Sequence, residues 1–104
     1  MKGKIALMVV LFSAGFLFAE SILPGFKPEG GFVPDEKTAI AIAVAVWSPI
    51  YGEEKIQKEK PYQAVLKNGV WHVEGTLPKE FVGGVAVAEI SKDDGRIMGV
   101  GHGQ

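Results

Sequence analysis

Residues 61–76, with the sequence PYQAVLKNGVWHVEGT, form the stretch that decides the fold. Asn68-Gly69 lies between two runs of apolar and aromatic residues, and this dipeptide accepts the positive φ angles of a type I′ turn. The stretch therefore predicts a β-hairpin with a two-residue loop, and a loop of this length fixes the pairing of the strands. The predicted pairs are Tyr62 with Gly75, Ala64 with Val73, and Leu66 with Trp71. These side chains make one face apolar, while His72 lies on the polar face.

A second hairpin is predicted over residues 85–102. Asp93-Asp94-Gly95 separates two further apolar runs and suits a three-residue loop with Gly95 in the left-handed conformation. In that register one face of the hairpin carries side chains throughout, and the other face of the last strand carries glycine at three successive positions. The first face holds Ala86, Ala88, Ile90, Met98, Val100 and His102, and the glycines are Gly99, Gly101 and Gly103.

Residues 35–47 (DEKTAIAIAVAVW) carry two competing patterns. Isoleucine and valine alternate with alanine, which is the period of a strand, yet Ile40, Val44 and Trp47 also share one helical face. The acids at the start of the segment follow Pro34 and suit a helix N-terminus. We predict a helix that runs to residues 48–51 and is stopped by Gly52. The mixed-charge residues 53–60 are predicted to be a solvated connector.

The amino-terminal segment has the plan of a secretory signal peptide. Lys2 and Lys4 precede 15 uncharged residues, 5–19, and Glu20 ends the run. A helix of that length spans about 22 Å, which is short of the ~30 Å hydrocarbon core. We therefore predict a signal peptide over residues 1–19 and an exported protein, periplasmic or secreted. An uncleaved membrane anchor is the alternative.

The remaining chain is predicted to hold one small domain. Residues 20–34 are rich in proline and glycine and are expected to be an extended, mobile lead-in. Residues 35–104 form a single α+β domain, in which one N-terminal helix packs on a four-stranded antiparallel sheet made of two hairpins. The predicted core consists of Ile40, Val44, Trp47, Tyr62, Leu66, Trp71, Val73, Ile90, Met98 and Val100.

Composition excludes several classes of function. Without Lys2 and Lys4 the chain keeps 9 of its 11 basic residues against 12 acidic ones, a net charge of −3, which disfavours a nucleic-acid binder. The chain has no cysteine, so disulfides, thiolate metal sites and cysteine nucleophiles are excluded. Its two histidines cannot complete an ordinary zinc site, and Asp93 and Asp94 lie in a turn rather than across a cleft. We therefore predict no catalytic residue, no metal and no cofactor.

The predicted partner-binding residues lie on the two hairpins. They are His72, Gly99, Gly101, His102 and Gly103. A strand face without side chains accepts either close packing of another segment or a flat contact with a partner. His72 and His102 also suit an exposed strand position and a strand end, respectively.

The ordered set of short motifs resembles the nuclear-transport-factor-2-like (NTF2-like, cystatin-like) immunity proteins of bacterial polymorphic toxin systems. The matching pieces are the alanine-rich residues 38–46, Pro49-Ile50-Tyr51-Gly52-Glu53, Lys60-Pro61-Tyr62, residues 71–78, Gly83-Gly84-Val85, residues 92–97 and His102-Gly103. The resemblance implies a helix cradled by a curved sheet. It also implies a protein that binds a toxin domain non-covalently and performs no catalysis.

Two rival functions remain open at the level of sequence. The chain also looks like a PepSY-like inhibitory or folding-assistance module of the cell envelope, which is likewise a helix with hairpins. The second rival is an enzyme that uses the concave side of the sheet as a pocket, for which only His102 is suitably placed.

Overall fold

A computed structural model describes Leu23, residues 25–79 and residues 82–103. The predicted signal peptide lies outside these residues. The described chain contains two helices followed by four strands. They are α1 (Glu36–Tyr51), α2 (Glu53–Gln57), β1 (Gln63–Lys67), β2 (Val70–Glu74), β3 (Ala86–Ser91) and β4 (Ile97–His102). None of the helices in this part of the chain is long and apolar enough to cross a membrane.

Helix α1 has the predicted bounds because both of its ends are capped. The Asp35 carboxylate accepts a hydrogen bond from the Thr38 backbone N–H at 2.8 Å, and this bonding lowers the pKa of Asp35 below its usual value. At the other end the Gly52 N–H donates to the Ser48 carbonyl, and Gly52 adopts a φ of 102°. Pro49 lies inside the last turn without ending the helix.

The buried stripe of α1 consists mainly of alanine. Ala39, Ala43 and Trp47 are fully buried, whereas Ile40 and Val44 pack at the margin of the core and are only partly buried. The buried face of α1 is therefore centred on Ala39 and Ala43, and not on Ile40 and Val44 as predicted. Small alanine side chains let the helix backbone lie close to the sheet, so the larger β-branched residues are displaced to the sides of the contact.

The four strands form an antiparallel meander in the order β1-β2-β3-β4, as predicted. In the first hairpin Leu66 pairs with Trp71 and Ala64 with Val73, which confirms the register derived from the turn. Ala64, Trp71 and Val73 are buried. Leu66, which was expected in the core, is 43 % exposed at the turn end of β1, whereas Ala64 on the same face is buried.

The second hairpin differs from its predicted register near the turn. Gly95 has the expected positive φ of 77°, but the β3–β4 pairing shifts between Glu89 and Ile90. Because Glu89 pairs with Gly99 and Ile90 with Ile97, Met98 has no partner in β3 and does not follow the alternation of side chains between the two faces. Met98 and Val100, both predicted core residues, are 48 % and 36 % exposed. The helix packs mainly on β1, β2 and β3, so the edge strand β4 is left largely uncovered.

The last residues of the predicted lead-in, around Gly31 and Val33, pack against the domain, whereas residues 25–30 are exposed. Val33 is fully buried, its N–H donates to the Lys92 carbonyl, and its own carbonyl accepts a hydrogen bond from the Trp71 indole at 2.8 Å. Gly31 makes the approach possible, because its φ is 87° and a Cβ there would collide with the Lys92 backbone. Phe26 remains exposed.

The predicted solvated connector at residues 53–60 is also structured. Its first part is helix α2, whose Ile56 is fully buried. The Tyr62 hydroxyl donates to the Ile56 carbonyl at 2.7 Å, and the Tyr62 ring lies 5.9 Å from that of Trp47. Glu59, in the same charged run, is 2 % exposed. The prediction was wrong because the charged composition of residues 53–60 gives no sign that Ile56 and Glu59 are buried.

Candidate functional site

The sheet divides the predicted partner-binding residues between its two faces. We call the face turned away from α1 the outer face. Strand alternation from the observed pairing assigns it Gln63, Val65, Lys67, Val70, His72, Glu74, Val87, Glu89, Gly99 and Gly101. His102 pairs with the buried Ala86 and therefore lies on the helix side. The structure thus brings His72, Gly99 and Gly101 together and separates His102 from them.

On the outer face, His72 lies between two carboxylates. Its Nε2 is 3.5 Å from the Glu74 carboxylate, and its Nδ1 is 3.6 Å from the Glu89 carboxylate. All three side chains are about half exposed. At these distances and exposures the contacts are weak and solvent-screened, so the cluster is free to rearrange toward a partner.

The outer-face glycines of β4 border a shallow groove. A Cβ built on Gly99 would come no closer than 4.0 Å to Glu89 Oε1, and one on Gly101 would lie 3.7 Å from Val87 Cγ2. These are ordinary contacts with the neighbouring strand, so no other segment among the described residues packs on the two glycines. The groove is bounded by His72, Val87 and Glu89. Close internal packing therefore does not account for these glycines in the described part of the chain.

On the helix side, His102 is held by a buried acid. His102 Nε2 lies 2.7 Å from Glu59 Oε2, and the Glu59 side chain is 3 % exposed. The other carboxylate oxygen, Oε1, accepts the Ala86 backbone N–H at 2.8 Å. The Tyr51 ring is 5.2 Å from the His102 ring. His102 is therefore part of a partly buried polar contact that ties the residues after α2 to the ends of β3 and β4.

Where the pairing of β2 with β3 ends, the Glu59 carboxylate supplies the hydrogen-bond acceptor for a β3 amide. Gly75 N–H donates to the Ala86 carbonyl, but the Ala86 N–H turns to Glu59, and the Thr76 N–H donates to the Glu59 carbonyl at 2.7 Å. A Cβ on Gly75 would lie 2.6 Å from Glu59 Oε1, so only glycine leaves room for the acid. The negative charge of Glu59 adds to burial in raising the pKa of Tyr62, with burial the larger cause. Sequence reasoning missed Glu59, because a glutamate within EEKIQKEK carries no local sign of burial.

A cleft of about 340 Å³ opens beside this contact. Its walls include Lys55, Leu77, Pro78, Gly84, His102 and Gly103. Gly103 N–H donates to the Val85 carbonyl at 2.9 Å, which continues the β3–β4 pairing past the strand end. Within the described residues no group of three or more metal-ligating side chains lies together. His102, the residue considered for an enzyme, lies at this cleft with its Nε2 atom bonded to Glu59.

Two curated proteins of Escherichia coli (strain K12) are similar to this chain. One is the uncharacterized protein YhhH, which is 34 % identical over 89 residues, covering 80 % of this chain and 70 % of the relative. The other is the uncharacterized protein YbbC, which is 38 % identical over 71 residues, covering 67 % of this chain and 58 % of the relative. This chain thus spans less than two thirds of YbbC. No solved structure matches it.

A family model described as NTF2 fold immunity protein matches residues 38–104. The match extends from the first turn of α1 to the end of the chain and so includes α2, the four strands and both faces of the sheet. The helix packed on a four-stranded antiparallel sheet agrees with that fold. The chain therefore belongs to the NTF2-fold immunity protein family.

Proposed function

We propose that this protein neutralises a toxin domain by stoichiometric, non-covalent binding outside the cytoplasm. The observation that carries the proposal is the family match, which spans the whole folded domain and not one motif. An immunity protein of this kind works by occupying a surface of its toxin. It needs a stable scaffold and an accessible face, and it needs no turnover.

The outer face supports this proposal as the contact surface. Helix α1 covers the opposite side of the sheet, and no element among the described residues packs on the outer face. On this face Val65 is an aliphatic side chain with 60 % exposure. Beside it lie the polar group of His72, Glu74 and Glu89 and the two glycines of β4, Gly99 and Gly101. A mixture of flat apolar and polar surface is typical of protein interfaces that form between folded partners.

The charge of the protein supports a basic partner. Without residues 1–19 the net charge is −3, and the outer face presents Glu74 and Glu89 at about half exposure. Charge complementarity of this kind speeds encounter more than it deepens affinity, and it weakens as salt is raised.

The test is a titration of a toxin domain found by gene neighbourhood or by a pull-down from envelope extract. The purified mature protein should abolish the toxin's activity, with inhibition saturating near one equivalent. Size-exclusion chromatography with light scattering should show a complex of defined stoichiometry. Substoichiometric inhibition, or turnover of a substrate by this protein alone, would contradict the proposal.

A further inference from the structure

Strand β4 presents an open edge to which another strand can add. It pairs with β3 on one side, and no other strand in the described chain pairs with its second side. The Gly103 N–H bonds to Val85, and the ladder alternates from there. Because hydrogen-bonded and non-hydrogen-bonded pairs alternate in antiparallel strands, Gly101 and Gly99 direct their backbone groups toward β3. Val100 and His102 therefore direct their N–H and C=O groups outward.

Beyond the register shift near Ile97, this edge carries none of the side chains that usually block strand addition. The sequence of β4, IMGVGH, contains no proline, no lysine and no acid. Met98 and Val100 are exposed beside the edge, at 48 % and 36 %. Exposed edge strands are usually protected by charges, proline or a covering segment, because unpaired backbone groups attract another strand. The regular part of the edge, residues 99–102, is consistent with a strand that is used for binding.

The groove beside this edge carries one acid, Glu89, and has glycines on the near strand. Neighbouring strands lie about 4.8 Å apart, so a residue on an added strand would be about 10 Å from β3. Glu89 pairs with Gly99, and glycine leaves the space between an added strand and Glu89 empty. A lysine or arginine on the added strand can cross that space and meet the Glu89 carboxylate.

We propose that β4 takes up an extended segment of the protein partner as a fifth strand, and that this segment carries a lysine or arginine directed over Gly99 and Gly101 toward Glu89. The inference rests on the proposed function, since it assigns the surface used by that same partner. Main-chain hydrogen bonds to Val100 and His102 supply affinity, and the acidic groove selects the side chain.

A second copy of this chain fits the groove less well. Its β4 would offer Glu89 only uncharged residues and His102, which is already bound to Glu59. The nearest cation, Arg96, lies before the strand and is 3.6 Å from the Asp94 carboxylate of its own turn. Self-pairing therefore satisfies the backbone and leaves the acidic groove without a cation. This charge argument decides between the two occupants.

The first experiment fills the groove without harming the fold. In Gly101→Val the new Cβ makes an ordinary 3.7 Å contact, and a β-branched residue suits a strand better than glycine. The variant should keep or raise its denaturation midpoint, yet bind the catalytically inactivated toxin domain at least tenfold more weakly. Gly25→Val is the matched control, because it makes the same change at a glycine outside the sheet, where a Cβ meets nothing within 4 Å. It should bind like the wild type.

The second experiment tests the charge. Glu89→Gln should weaken binding about tenfold at low salt and flatten the salt dependence of the Kd. The control is Glu29→Gln, an identical loss of charge on the exposed residues before α1. Hydrogen exchange of the complex tests the main-chain pairing directly. The Val100 and His102 amides should become protected by binding, while the Leu66 amide on the other edge strand should not.

The outcomes separate this inference from the function on which it rests. If the wild-type protein does not inhibit the toxin, both are overturned. If it inhibits, but Gly101→Val and Gly25→Val bind equally well, the β4 assignment is overturned and the proposed function stands. If sedimentation shows a dimer at the binding concentration, and Gly101→Val dissociates it without affecting the toxin complex, the occupant is a second copy and the inference is wrong.

Discussion

At the scale of single residues, Glu59 joins the most elements. Its side chain contacts β3 through the Ala86 N–H and β4 through His102, and its backbone carbonyl accepts the Thr76 N–H. A buried carboxylate is costly unless its oxygens are bonded, and here both oxygens have partners. The same contact means that His102, predicted as a partner-binding residue, also has a structural bond within the fold. A substitution there would disturb the buried contact, so reduced binding by His102→Ala could not be assigned to the partner surface.

Replacing Glu59 should destabilise the fold measurably. Glu59→Ala leaves the buried Ala86 N–H without its acceptor, and an unsatisfied buried donor costs about 1–3 kcal/mol. Glu59→Gln keeps one carbonyl oxygen in place and should lose less. Urea denaturation followed by tryptophan fluorescence measures both losses. Equal midpoints for Glu59→Ala and the wild type would show that the contact is not needed.

At the scale of elements, the residues before α1 act as a strap across one end of the core. The Phe32 and Val33 amides bond to the β3–β4 turn, and Val33 accepts the Trp71 indole N–H. The strap covers the end of the first hairpin and makes Val33 as buried as any residue of the helix. Gly31 is the point at which the chain turns into this position.

Gly31→Ala tests whether the strap contributes to stability. The φ of 87° and the collision with the Lys92 backbone both oppose a Cβ, and left-handed strain alone costs about 1–3 kcal/mol. We expect a loss of at least that size in the free energy of unfolding. Gly25→Ala is the matched control, because its Cβ would meet nothing within 4 Å, and it should leave stability nearly unchanged. Equal effects of the two changes would mean that the strap is dispensable.

The cap of α1 predicts a dependence of stability on pH. Hydrogen bonding from Thr38 lowers the pKa of Asp35 in the folded state, so the ionised carboxylate stabilises the fold. That contribution is fully present above the unfolded pKa of about 3.9 and is lost as the pH falls through the lower folded value. The melting temperature of Asp35→Ala should therefore lie below that of the wild type at pH 7, and the gap should narrow toward pH 3. A gap that is constant with pH would contradict the role of the charge.

At the scale of the whole molecule, the protein has one covered and one open side. Helix α1 closes the inner side of the sheet, the strap closes one end, and the outer face and the β4 edge remain accessible among the described residues. This asymmetry lets a domain of this size keep a core and still present a broad surface to a partner. The core needs no disulfide, since the chain has no cysteine.

Export is the prediction that concerns the whole chain. Lys2, Lys4 and the uncharged residues 5–19 predict a cleaved signal peptide. Protein recovered from the periplasmic fraction should have the intact mass of a chain that starts near Glu20. A full-length species retained in the cytosol would be the contrary result.

Local interactions explain what could be predicted from the sequence. The Asn68-Gly69 turn pairs residues that are neighbours in the chain, so Leu66 opposite Trp71 followed without any knowledge of the rest. Asp35 and Gly52 bound α1 through contacts within a single turn. The α+β class and the meander followed from the order of these segments, because short connections leave few ways to bury one apolar face.

Only the tertiary structure determined which side chains are buried and which residues distant in the chain are in contact. Glu59 meets a histidine 43 residues away, and Trp71 bonds to a carbonyl 38 residues away, so neither contact has a local sequence pattern. The predicted alternation made Met98 and Val100 apolar core residues, but a register shift and the limited reach of one helix left them exposed on an edge strand. Residue type and spacing determine the faces of each element, whereas burial depends on the area that its neighbours can cover.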